Sequence, residues 1–265
     1  MQYLSGVFGR AWWQLFQLFA VPFALAVALQ WVGYKIRGRG FGRFGNAYLY
    51  FIAPGVACHE AGHAAGCLIT GTKVLKFVPF TTAYDDKVGY VLHEGKRGLW
   101  GGIAYVIIDT GPIWFGCLMI MLLSRLFGGV VSVARYGDFF SNEAIPGIVE
   151  YVYGLASAAW GLLAALFIDG TWGWGFAVWL YLVFCIASEI GLSMVDIKLM
   201  CPGLAMIVGM FLVLNLVPVV GTWVSTGIFV ALPWLFKFHV LMFAALILNV
   251  TLLIAMRAVL CVRFR

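Results

Sequence analysis

The sequence predicts an all-α polytopic membrane protein of about seven transmembrane helices, with a short β-hairpin or re-entrant segment near residues 73–98. Three observations predict it. Of 265 residues, 63% are hydrophobic and only 11% charged, where soluble domains carry about a quarter charged residues. Mean hydropathy is +0.99. Apolar runs recur at 11–34, 47–71, 99–124, 146–168, 171–191, 200–220 and 238–262, each near the ~20 residues that cross a bilayer. The pattern admits six to eight spans, seven preferred, because 222–237, with Pro233 and Lys237, reads as a short re-entrant or interfacial piece.

The first run is long and is followed by Lys35-Ile36-Arg37 with no small-residue cleavage site, so it reads as a retained span rather than a signal peptide. Lys35, Arg37, Arg39 and Arg43 then form a basic first loop, and Arg257, Arg263 and Arg265 crowd the far end. Under the positive-inside rule these are cytoplasmic flanks, with Arg125 and Arg135 on the same side and the N-terminus outside. Lys73, Lys76, Lys87, Lys96 and Arg97 would fall outside and count against that orientation. The net charge of +6 thus reports membrane orientation and not a nucleic-acid partner. No soluble appendage or internal repeat is expected, and residues 1–265 read as one integral membrane domain. Its six cysteines, Cys58, Cys67, Cys117, Cys185, Cys201 and Cys261, sit in or beside apolar runs without a CxxC pair and read as packing residues.

The second run carries His59-Glu60-Ala61-Gly62-His63. Residues four apart share a helix face, so both imidazoles reach one metal ion. Glu60 projects about 100° away, placed to handle a metal-bound water as general base. His59 lies about twelve residues into its run, or roughly 18 Å at 1.5 Å per residue, near the bilayer centre. Polar groups at that depth are costly and mark function. The chain has only four histidines, and a chance match to this spacing is expected about once in a thousand such chains.

A hydrolytic zinc site takes three protein ligands and keeps one position open. His93 falls in a polar loop and His239 near a membrane edge, which leaves the carboxylates. Asp196 opens the sixth run and is the preferred third ligand, although an acid in a first turn also complements the helix dipole with no metal. Asp109, inside 99–124, also reads as a buried carboxylate bonded to a neighbouring helix, and Glu189 ends the fifth run. Cys67, one turn beyond His63, reads as packing before ligation.

Segment 73–98 alternates Val74, Phe77, Val78, Phe80 with Val88, Tyr90, Val91 across Tyr84-Asp85-Asp86-Lys87, the pattern of a hairpin turning at Asp85–Lys87. Gly62 and Gly66 form a small-xxx-small pair that permits close helix approach.

These residues resemble the site-2 protease family of intramembrane metalloproteases. The H-E-x-G-H form flanked by small residues (Ala57 through Gly66) is similar to the family's first motif, and Gly111-Pro112-Ile113 resembles the Gly-Pro-Leu opening of its next core helix. The 73–98 hairpin sits where the family carries a re-entrant β-hairpin. The resemblance covers about 47–220, taken as the catalytic core, with 11–34 and 238–262 as flanking spans. It implies a zinc endopeptidase that cleaves membrane-protein substrates in or near their transmembrane segments. The hairpin edge would pair with unwound substrate, and Asn215, Thr110 or Asp109 would meet substrate or oxyanion. The chain departs from the family pattern at the third ligand: Asn215-Leu216-Val217-Pro218 imitates an Asn-x-x-Pro opening, but no Asp-Gly follows. Either Asp196 supplies the ligand from a divergent motif or the ligand is missing. The alternatives are a metal-binding membrane transporter, with Asp109 and Asp196 on an ion route, or an inactive protease-like scaffold.

Overall fold

The computed structural model describes residues 9, 11–82, 88–127, 148–168 and 173–262. Helix α1 runs Ala11–Phe44. It is π-helical over Phe16–Ala20, just before Pro22, whose ring and missing N–H disturb the ladder there. The predicted basic loop is a correction: Lys35, Arg37, Arg39 and Arg43 ride on the last turns of α1, which stops at Gly45 with φ 56°. Lys and Arg are good helix formers, and nothing before Gly45 halts propagation.

Helix α2, Asn46–Thr70, carries the two-histidine motif and tolerates Pro54. Strands β1, Val74–Val78, and β2, Tyr90–His93, pair antiparallel with Phe77 opposite Val91 and Val78 opposite Tyr90. The Thr81 N–H donates to the Val88 carbonyl at 2.7 Å and continues the ladder. The expected turn at Asp85–Lys87 lies outside the described residues, as do Arg135, Arg263 and Arg265.

The run predicted at 99–124 is two helices, α3 (Gly98–Asp109) and α4 (Gly111–Leu126), divided at Thr110. Then come α5 (Ile148–Ile168), α6 (Trp174–Glu189), α7 (Met194–Leu216) and α8 (Pro218–Val262). The proposed re-entrant piece at 222–237 is also corrected. It is continuous helix within α8, whose 45 residues extend roughly 68 Å at 1.5 Å each.

Among the described residues, four helical stretches are long and apolar enough to cross a membrane: Ala11–Phe44, Gly98–Leu126, Met194–Leu216 and Val230–Ala258. They fall on the predicted runs at 11–34, 99–124, 200–220 and 238–262. The chain is therefore a helical membrane protein, with one small sheet among the described residues. Helix α2 is long but diluted by its polar motif, and the apolar stretches of α5 and α6 are shorter. The main core lies among α1, α4, α5, α6 and α8, around Leu29, Tyr151, Phe236 and Met242.

Helix α2 packs closely on the α3–α4 break. A Cβ on Gly62 would lie 2.7 Å from the backbone of Gly111 and Pro112, so only a bare Cα lets these elements meet.

Candidate metal centre

Two interrupted helices build the centre. Pro112 has no N–H, so it cannot claim the carbonyl four residues earlier, that of Ile108. His63 takes it instead: its Nδ1–H donates to the Ile108 oxygen at 2.9 Å. The other orienting carbonyl is an orphan of a helix end. Helix α6 stops at Glu189, and His59 Nδ1–H donates to the Glu189 oxygen at 2.6 Å. Because a carbonyl only accepts, both protons sit on Nδ1, and each Nε2 presents its lone pair to the interior.

The two Nε2 atoms are 3.2 Å apart. Asp196 Oδ1 lies 3.7 Å from His63 Nε2, and the ligand atoms of His59, His63 and Asp196 all fall within 4.8 Å of one another. The helix-start reading of Asp196 is realised through one carboxylate oxygen, and the other lies where it could serve a metal. Its Oδ2 accepts from the Ser193 N–H at 2.7 Å, while its own N–H donates to Ser193 Oγ at 3.2 Å. This reciprocal capping box fixes the carboxylate and leaves Oδ1 facing the histidines.

The donor set fits a metal. Ligands of a tetrahedral zinc at about 2.0–2.1 Å are separated by roughly 3.3 Å, close to the spacing of the two ring nitrogens. Two neutral imidazoles with their protons committed outward meet lone pair to lone pair, and a cation satisfies both at once. Backbone carbonyls holding the far ring nitrogen are the usual outer support of metal-bound histidine.

These groups border a cavity of about 320 Å³ that Glu60, Asp109 and His93 also line, with Val88–Val91 of the hairpin along one side. Glu60 is buried beside the histidines. Asp109 is buried, and its Oδ2 has no hydrogen-bond partner. It is not part of the three-residue cluster.

Other candidates are placed elsewhere. Thr110 Oγ1 donates to the Val106 carbonyl of its own helix at 2.7 Å, and Asn215 Nδ2 to that of Phe211 at 2.9 Å. Neither lines this cavity. The Glu189 side chain pairs with Arg37, so this residue serves through its main chain. Cys67 is packing, buried with Ala104 and Ile108. His239 is fully buried.

Sequence reasoning overlooked both orienting carbonyls and Arg37. Proline four residues after Ile108 was a readable signal for the first. No family model, curated protein or solved structure matches the chain, and the centre is read from its own geometry.

Proposed function

We propose that the chain is an intramembrane zinc endopeptidase of the site-2 protease type, acting on membrane proteins with a transmembrane helix. The observation that carries this reading is the convergence of the His59 and His63 Nε2 atoms with Asp196, in a cavity that Glu60 shares. His59, His63 and Asp196 would hold the ion. When bound, zinc supplies a water acidified towards neutral pH and polarises a scissile carbonyl. Glu60, buried beside the pair, takes up the water proton and returns it to the leaving amine. The Ile108 and Glu189 carbonyls keep both rings in the tautomer the ion requires.

A substrate helix must unwind, because its peptide groups are already hydrogen-bonded. Residues 88–91 of the hairpin border the cavity and are suited to receive an extended strand. The same proposal has seven rods in the bilayer, α1, α2, α3–α4, α5, α6, α7 and α8, with the N-terminus outside and the C-terminus cytoplasmic.

The test uses full-length protein in lipid vesicles, loaded with zinc and given a single-span peptide. Glu60→Gln should lower cleavage at least 100-fold, within the range for losing a general base, and leave zinc content unchanged. Zinc flux across the vesicle without cleavage by the wild type would favour the transporter alternative and sink this reading.

A further inference from the structure

Among the described residues, one charged group bordering the metal cavity is left without a counterpart. Arg37 pairs with Glu189. Asp196 caps α7 through Oδ2 and turns Oδ1 to His63. A divalent cation at the centre would offset Asp196 and Glu60. Asp109, which lines the same cavity, remains.

Asp109 is the last residue of α3 and is 2% exposed. Its Oδ2 is sealed away with no hydrogen-bond partner. Its Oδ1 is also unbonded and is the oxygen left open to the cavity. The preceding residue, Ile108, holds the His63 ring at 2.9 Å, so this carboxylate stands one residue from a ligand's anchor. A buried carboxylate with nothing to pair with is costly, and inside a membrane such a group marks function.

We propose that Asp109 is a specificity-determining residue, pairing through Oδ1 with a lysine or arginine side chain that the substrate carries beside its scissile bond. The cavity suits such a side chain. Val56, Val195 and Leu199 line it and offer apolar contact to a methylene stem whose charge sits at the far end. A lysine side chain has five non-hydrogen groups of about 30 Å³ each, which fit in about 320 Å³ with room for the peptide bond. The ammonium and the carboxylate are each expensive alone in hydrocarbon, and pairing satisfies both. A site built this way rejects a substrate that lacks the cation, because its own buried charge is then left unpaired.

The inference rests on the protease reading of the metal centre, and its test is therefore binding rather than cleavage. Full-length, zinc-loaded Glu60→Gln protein in lipid nanodiscs is titrated with fluorescent single-span peptides that differ at one residue. That residue is lysine, or norleucine, which keeps the carbon stem without the charge, and it is stepped through the central turns of the peptide. Expected is one register at which the lysine peptide binds about 10–100-fold more tightly than the norleucine peptide, the range for a hydrogen bond to a charged group. Adding Asp109→Asn, which keeps the shape and removes the charge, should bring the two peptides to within about twofold of each other.

Equal affinity for lysine and norleucine at every register would overturn the inference, and this comparison needs no change at position 109. A lysine preference that survives Asp109→Asn would overturn it too. So would a second equivalent of bound zinc that disappears in Asp109→Asn, since the carboxylate would then serve a metal. Lysine preference with no cleavage by the wild type would keep the pairing and sink the protease reading, whereas cleavage without lysine preference would do the reverse.

Discussion

His63 and Pro112 are coupled through an atom that belongs to neither. The carbonyl of Ile108 accepts from His63 Nδ1 at 2.9 Å because the residue four positions on cannot donate to it. A helix break within a predicted span thus becomes the part that aims a ligand.

Pro112→Ala tests this coupling. The alanine restores an N–H that competes for the Ile108 oxygen and lets α3 and α4 fuse into one helix. The His63 ring then loses its anchor. Zinc affinity should fall about 10–100-fold, the usual effect of removing an outer support, with the helical circular dichroism kept. Competition titration against a chromophoric chelator reads the affinity; an unchanged constant would show that Pro112 has no part in aiming the ring.

Asp196→Asn and Asp109→Asn separate the ligand from its neighbour. The first substitution keeps a side chain able to cap α7 but weakens the ligand that faces His63 at 3.7 Å. It should strip most of the metal. The second alters a carboxylate outside the three-residue cluster and should leave metal bound at one equivalent. Elemental analysis of the purified variants decides it, and the reverse pattern would move the third ligand to Asp109.

How much of this was legible in the sequence depends on the length scale. Hydropathy located the strongly apolar spans because burial in lipid acts on whole segments of ~20 residues. It misjudged their ends, as at Lys35–Phe44, because helix propagation ignores the polarity change until Gly45 stops it. The His59–His63 pair was readable because helical spacing alone puts both on one face. Asp196 was readable as two rival roles that turned out compatible, since a carboxylate has two oxygens. The bonds that Thr110 and Asn215 make were not legible, for a common reason. A small polar side chain in an apolar helix satisfies itself on the carbonyl one turn back, and no spacing rule reports that choice. The orienting carbonyls have no residue type to give them away.

Gly62→Ala probes the seam beneath the centre. The added methyl would sit 2.7 Å from the Gly111 and Pro112 backbone, which cannot rotate away as a side chain would. Overpacking of this kind costs about 1–3 kcal/mol. The variant should melt earlier than wild type, and because the α3–α4 break must retreat, it should also bind zinc more weakly. Thermal unfolding in detergent with and without zinc measures both. A variant as stable as wild type would mean that the helices are not held at this distance.

Arg37 and Glu189 provide the last test, because their ion pair braces the residue whose carbonyl orients His59 at 2.6 Å. The Glu189 side chain is 7% exposed and that of Arg37 39%. Removing one partner of a fully buried pair costs ~3–5 kcal/mol, chiefly by stranding the other charge. With Arg37 partly exposed, the loss for Arg37→Gln should be nearer 2 kcal/mol. Glu189→Gln removes the stranded charge, so the double variant should recover part of that loss, a coupling that a mutant cycle isolates. Zinc affinity should follow stability, falling in Arg37→Gln and rising again in the double variant as the end of α6 resettles under His59. Additive losses in the cycle would show that the two side chains act separately, and affinity unchanged in all three would show that the end of α6 needs no brace to hold the ring.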